Sequence, residues 1–230
     1  MAIYDIFTDA SVDKSLRGAC AGAITVNREF EEIVSERYAI QPNGTNNSGE
    51  ICAICLGVIQ AYNVANPGDT INLFSDSLIS LKGVRDWIFD WIKLRQNNVL
   101  IKGDKNPVLN QNFHKLIFNT ITMYNIKINF YHMRGHMSER KNGLEILINT
   151  FKRENNISIE SVGDPNYLIA FNNKIDLITR KNLIAYNTDG ILYHDTYIDY
   201  MYENDNEYIP ILLTENSIER YRYLIGKTEI

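Results

Sequence analysis

Three strand-like runs stand in immediate succession at the start of the chain, and that order limits the fold more than any other feature. Ile3 to Thr8 is apolar enough to be buried on both faces, and Ala19 to Val26 and Glu31 to Tyr38 follow as two further strands. The short Asn27-Arg28 connection between the last two predicts a hairpin, so the three runs predict an antiparallel meander. After the loop PNGTNNS the period changes. Ile51, Ile54, Cys55, Val58, Ile59 and Tyr62 fall at helical spacing, with Ser48 as the expected N-cap. Asn66-Pro67-Gly68-Asp69 ends that helix, and Thr70 to Ser75 reads as a fourth strand.

The second half is mainly helical. Leu78 to Leu94 carries Trp87 and Trp91 one turn apart, a basic linker leads to Pro107, and Asn110 to Tyr124 forms the next predicted helix. A fifth strand, Ile126 to His132, runs into the loop MRGHMS. Glu139 to Glu154 and Pro165 to Leu183 have helical patterns, and Leu183 to Tyr197 reads as a hairpin around Asn187-Thr188-Asp189-Gly190. The order βββαβααβ followed by helices predicts an α/β (α+β) fold with one mixed five-stranded sheet and helices on both faces.

With 230 residues, 45% of them hydrophobic, the chain can bury one substantial core and does not need a second domain. No apolar run reaches the roughly 20 residues that cross a bilayer, and MAIYDIFTDAS lacks the features of a signal peptide. Three cysteines, Cys20, Cys52 and Cys55, cannot all pair. They point to reduced thiols and a cytoplasmic protein. Cys52 and Cys55 form a Cys-x-x-Cys pair, but on an apolar helical stripe, which favours core packing over a zinc site. The net charge of −5 comes from the tail: from Ala185 onward there are nine Asp/Glu against three Lys/Arg. Between Lys82 and Lys105 the balance is instead basic, with six Lys/Arg against three Asp.

Four carboxylates occupy strand ends or helix starts: Asp9 in IFTDAS, Glu50 in TNNSGEI, Asp76 in LFSDSL and Asp176 in NNKIDL. Taken singly, such an Asp more often caps a helix or sits in a turn. Asp9 and Asp76, however, each end an apolar strand, where a buried charge is costly without a cation or hydrogen bonds. On neighbouring strands, about 4.8 Å apart, the two would repel each other and favour a shared divalent metal. Oxygen-only ligands suit magnesium, and two such ions can hold the water and the leaving oxygen of an in-line phosphoryl displacement.

These segments together resemble the type 1 ribonuclease H family over roughly Ile3 to Leu183. Thr8-Asp9-Ala10-Ser11 is similar to its first-strand Thr-Asp-Gly-Ser motif, Thr45-Asn46-Asn47-Ser48-Gly49-Glu50 to its Thr-Asn-Asn-x-x-Glu, and Ser75-Asp76-Ser77 to its Thr-Asp-Ser. The resemblance continues through the two tryptophans, Lys105-Asn106-Pro107-Val108, Arg134-Gly135-His136 and Asn172-Asn173-Lys174-Ile175-Asp176. It implies a ribonuclease H-like fold and an endonuclease that hydrolyses the RNA strand of RNA–DNA hybrids, leaving 5′-phosphate and 3′-hydroxyl ends. On it, Asp9, Glu50, Asp76 and Asp176 would ligate two Mg2+ ions, with Mn2+ as a substitute. His136 would be the family's mobile-loop histidine, a residue type that exchanges protons near neutral pH.

The resemblance further implies that Asn46 and Asn47 reach the minor groove, where an amide can both donate to and accept from a 2′-hydroxyl. Trp87, Trp91, Lys93, Lys102 and Lys105 would belong to the family's basic protrusion along the DNA strand, although helix packing explains tryptophans at this spacing equally well. Three departures stand out. Ala10 replaces the usual Gly, Leu78 stands where bacterial relatives have Gln, and 39 residues separate His136 from Asp176. Asp164 is an alternative fourth ligand, although Asp164-Pro165 also reads as a turn. The expected organisation is a nuclease domain over 1–183, interrupted by an insertion at about 138–165, and an acidic, Tyr-rich extension over 184–230. A junction resolvase or integrase-like nuclease, and a non-catalytic nucleic-acid-binding module, are the competing readings. The Thr-Asn-Asn loop weighs against the first and the four retained carboxylates against the second.

Overall fold

The computed structural model describes residues 1–13, 18–189 and 209–227. Its centre is a five-stranded sheet in the order β3-β2-β1-β4-β5. β1 (Ile3–Asp13) pairs antiparallel with β2 (Gly18–Asn27), which pairs antiparallel with β3 (Glu32–Pro42). On its other side β1 runs parallel to β4 (Thr70–Ser75), and β4 runs parallel to β5 (Ile128–His132). The expected mixed sheet is therefore present. β1 lies in its middle, where both edges are hydrogen-bonded and both faces covered, which is why Asp5 to Ala10 are all buried.

Successive β1 side chains alternate between two cores. Ile6 joins Leu73 and Ile128 beneath α1 (Asn46–Val64) and α4 (Gln111–Tyr124), whose Ile54, Val58, Phe118 and Ile121 fill that face. Phe7 points the other way, stacking on Phe74 at 5.0 Å and on Phe171 at 5.7 Å. That face is closed by α5 (Gly143–Asn155) and α6 (Pro165–Asp189), through Leu147, Phe151, Leu168 and Ile175. Between β4 and α4 lie α2 (Leu78–Lys82), one π-helical turn (Gly83–Trp87) and α3 (Ile88–Leu94), which form a single winding rod.

Several boundaries differ from the sequence expectation. α1 is capped by Thr45, not Ser48. The Thr45 hydroxyl accepts from the Ser48 amide and the Ser48 hydroxyl accepts from the Thr45 amide, a reciprocal box that puts Ser48 inside the helix. The β2–β3 connection is a longer turn, with Glu31 at φ 52°, and β3 continues to Pro42. β5 starts two residues late because Asn125, in the left-handed conformation at φ 56°, terminates α4. α5 begins only at Gly143, which lies against the Met137 carbonyl where no side chain would fit. The hairpin expected from Leu183 is helix as far as Asp189, so the expected domain boundary at 183 falls inside α6; the rest of that hairpin lies outside the described residues.

Residues 209–213 are extended along α4, and α7 (Ser217–Leu224) follows them. Side-chain amides hold this segment. Asn112 Oδ1 accepts from Ile209 N, while Asn98 accepts from Ile211 N and donates to the Ile209 carbonyl. Asn119 accepts from Leu212 N and donates to the Pro210 carbonyl. Tyr221 of α7 is completely buried and joins the α1–α4 core. Among the described residues no helix is long and apolar enough to cross a membrane.

All three cysteines are buried and none forms a disulfide. Cys52 and Cys55 lie in the core under α1, as their spacing predicts. Cys20 packs with Ile40 and Leu183, and burial, reinforced by Asp9, pushes its thiol up to about 12.

Candidate active site

The parallel β1–β4 register sets Thr8 opposite Ser75, so Asp76, just beyond the end of β4, comes beside Asp9, which stays in β1 and pairs onward with β2 alone. Thr8 secures the pair from within, its hydroxyl donating to the Phe74 carbonyl at 3.0 Å. Glu50 arrives from the first turns of α1. That helix comes close to β1 because residue 49 is Gly: a Cβ there would lie 2.8 Å from the Ala10 methyl. Ala10 is thus buried against α1, which accounts for a methyl where the family pattern has Gly. Carboxylate oxygens of Asp9, Glu50 and Asp76 all lie within 4.8 Å of one another.

Asp176 reaches the same place from α6. It is half-buried and outside that mutual set, but close enough that its charge helps to raise the Asp9 carboxyl. Its helix is brought down by Gly22 of β2, where a Cβ would lie 2.6 Å from Thr179 Cγ2, and by a 3.0 Å hydroxyl contact between Ser11 and Thr179. Asp164, the alternative, is instead the cap of α6, accepting from the Asn166 and Tyr167 amides. A turn residue serves that role because the first helical amides lack internal partners.

Crowded burial makes these carboxylates poor acids. Burial, then the charges of Asp76 and Asp176, raise the Asp9 carboxyl to about 8. Glu50 is pushed well above its ordinary value by burial and by Asp76 and Asp9. Asp76 is also raised by burial, against the opposing charge of His136. Glu50 Oε2 is buried with no hydrogen-bond partner. An orphaned oxygen beside two repelling carboxylates is a good fit for a hard cation, which would satisfy all of these groups at once. The donor set therefore suits a divalent metal.

The loop after β5 closes over the cluster. Gly135 is pressed against Asp76 so tightly that a Cβ would lie 2.3 Å from Asp76 Oδ2. His136 follows at φ 56°, more than half exposed, with Nδ1 3.8 Å from Glu139. His132 braces the loop from the strand, its Nε2 3.1 Å from the Asp76 carbonyl. Asn155 of α5 in turn takes the His132 amide and donates to its carbonyl. Gly49 and Gly135 stand within the motifs named above, but their close packing, like the roles of His132 and Gly22, has no local sign in the sequence beyond the place of Gly135 directly after the fifth strand, beside His136.

The expected nucleic-acid contacts divide. Asn46 and Asn47 are exposed in the first turn of α1, beside Glu50. Trp87 is 40% exposed, and Lys93 projects from α3 near Asp90. Lys102 is half-buried and Lys105 exposed in a tight turn. Trp91 is not available to a ligand. It is 8% exposed, packs edge-on against His114 at 5.0 Å and belongs to the core, so for this residue helix packing wins.

A family model for RNase H matches residues 2–145, which include Asp9, Glu50, Asp76 and His136 but not Asp176. A ribonuclease H of Haemophilus influenzae (strain 86-028NP) is 32% identical over 138 residues, covering 60% of this chain and 81% of that protein. A ribonuclease H of Caldanaerobacter subterraneus is 27% identical over 150 residues, covering 62% and 85%. Among solved structures, the solution structure of the PFV RNase H domain aligns with a TM-score of 0.46 at 15% identity, covering 67% of this chain and 93% of that domain.

Proposed function

Because this chain belongs to the RNase H family, we propose that it is a divalent-metal-dependent endonuclease that hydrolyses the RNA strand of RNA–DNA hybrids at the Asp9–Glu50–Asp76 cluster. The observation that carries this reading is the convergence of three carboxylates, far apart in sequence, to within 4.8 Å, with one buried oxygen left unpartnered. Asp9, Glu50 and Asp76 would hold the metal, with Asp176 completing the set from α6. Mg2+ is the assigned ion and Mn2+ its substitute. Divalent cations held by these residues would lower the pKa of water and neutralise charge on the scissile phosphodiester, and hydrolysis would leave 5′-phosphate and 3′-hydroxyl ends.

The chain's own residues supply the rest. Asn46 and Asn47, exposed one turn before Glu50, would test for a 2′-hydroxyl by donating and accepting at once. Trp87, Lys93, Lys102 and Lys105 would follow the DNA strand through phosphate and stacking contacts. His136, exposed next to Gly135, would take up or release a proton as product leaves. Gly135 lets the loop that carries it lie directly on Asp76. The nuclease body is assigned to 1–183 with an insertion at 138–165, and the extension to 184–230, whose first residues continue α6 as far as Asp189. Three buried thiols fit a reducing cytoplasm.

Purified protein in Mg2+ should cut the RNA of a labelled hybrid and spare RNA and DNA duplexes. Asp76→Asn should lower the rate at least about 100-fold. Cleavage of branched DNA in place of hybrid, or hybrid binding without cleavage, would overturn the reading.

A further inference from the structure

The described part of the extension, 209–227, grips one region of the body with unusual completeness, and that region is the rod and loop carrying the proposed DNA-strand contacts. At the π-helical turn the Ile88 amide bonds the Gly83 carbonyl, five residues back, where α-helical spacing would direct it to Val84. The Val84 carbonyl instead accepts the Tyr221 hydroxyl of α7 at 3.0 Å, from a ring that is completely buried. The same ring packs against Phe89 and Phe118, and so joins the rod to α4. Beyond α7, Lys227 pairs with Asp86, the residue before Trp87. Arg222 lies over the Phe89 ring, 4.6 Å from its centroid.

The loop that follows the rod is held from the same side. Asn98 offers its side-chain amide to Ile209 and Ile211, while its own carbonyl accepts from buried Lys115 of α4 at 2.5 Å. Gln111 takes the Leu100 amide, which fixes the stretch leading towards Lys102 and Lys105. Both ends of the segment that bears Trp87, Lys93, Lys102 and Lys105 are thus tied to 209–227 or to the helix on which it lies. A π turn has weaker internal bonding than an α-helix, and here the missing partner comes from outside the rod.

We propose that residues 209–227 act as a clamp that fixes the substrate handle, the segment bearing Trp87, Lys93, Lys102 and Lys105, with Tyr221 as a positioning residue that holds the π turn and thereby presents Trp87 to the DNA strand. The inference rests on the handle reading given above. The clamp touches no metal ligand, so it acts on substrate capture and leaves the chemical step alone.

The test compares hybrid-cleavage kinetics of Tyr221→Phe, Trp87→Ala and the double variant, all in the full-length protein. Tyr221→Phe keeps the ring and deletes the bond to Val84. It should raise KM about fivefold and hold kcat within twofold, and it should add nothing to KM once Trp87 is gone. Asn98→Ala, at a half-buried site, should raise KM about threefold in the same pattern and serves if Tyr221→Phe folds poorly. An unchanged KM in Tyr221→Phe, a matching fall in kcat, or full additivity with Trp87→Ala would overturn the clamp. Should Trp87→Ala itself leave KM unchanged, the handle reading would fail and take the clamp with it, a result separable from failure of Tyr221 alone.

Discussion

Replacing Asp9 by Asn should make the metal-free protein more stable at neutral and alkaline pH while destroying its activity. In the folded chain Asp9 is raised from 3.8 to about 8, chiefly by burial and then by Asp76 and Asp176. The folded state therefore keeps this proton over a range in which the unfolded chain has released it. For a carboxyl raised in this way, the associated stability is fully present below about pH 4 and is lost as pH rises through about 8. Each unit between those limits costs about 1.4 kcal/mol, so from pH 5 to pH 8 the ceiling is about 4 kcal/mol. Glu50 and Asp76 share the repulsion, so that neutralising one member relieves the others, and a recovery of about 2 kcal/mol at pH 8 is expected. For a chain of this size that is about 4–8 °C in Tm. Thermal unfolding in EDTA at pH 5 and pH 8 measures it: wild type should lose stability with rising pH and Asp9→Asn should lose much less. Millimolar Mn2+ should restore wild type at pH 8 and barely move the variant, because a ligand stabilises only the state that binds it. Equal Tm values for the two proteins at pH 8 in EDTA would refute the assignment of Asp9 to a crowded, cation-seeking cluster.

Gly135→Ala places a methyl against Asp76 Oδ2, so hybrid cleavage should fall at least about tenfold while circular dichroism stays native, as expected when about an ångström of misplacement reaches the reacting groups. Arg28→Met strands Asp5, which is fully buried and also held by Asn72 and Tyr167; urea unfolding should show a loss of about 3 kcal/mol. Lys93→Ala combined with Lys102→Ala should weaken hybrid binding and reduce the slope of log affinity against log salt by about 1 to 2, read by fluorescence anisotropy.

The sheet and three of the carboxylates were legible because each rests on local chemistry. Buried central strands write themselves as apolar runs, and a polar residue ending such a run stands out, as Asp9 and Asp76 do. Glu50 could be placed because a helix start leaves a capping signature, although Thr45 and Ser48 both carry a capping hydroxyl and only their reciprocal bonds show that Thr45 is the cap. What escaped the reading depends on partners distant in sequence. Trp87 and Trp91 have the same local pattern, yet one is exposed and the other is buried beside His114, a neighbour that only folding supplies. Asn187-Thr188-Asp189-Gly190 has the composition of a turn, but α6 runs on through Asp189, with Leu183 buried against Cys20 and Ile40. The seat of the C-terminal segment has no local signature, because Asn112 and Asn119 fall on an expected helix and nothing near them in sequence tells that their amides bind the backbone of residues 209–212.

Those asparagines set how the terminal segment can age and diverge. An amide matches a peptide group edge to edge, so Asn98 and Asn119 recognise the backbone of residues 209–212 and not its side chains. Substitutions at the exposed positions Pro210 and Leu212 should be better tolerated than at Ile209 and Ile211, which pack against the core. Hydrolysis of either amide to a carboxylate would turn a donor into an acceptor facing the carbonyl of Ile209 or Pro210. Slow deamidation of stored protein is thus a chemical route to unfastening the terminus without breaking the chain.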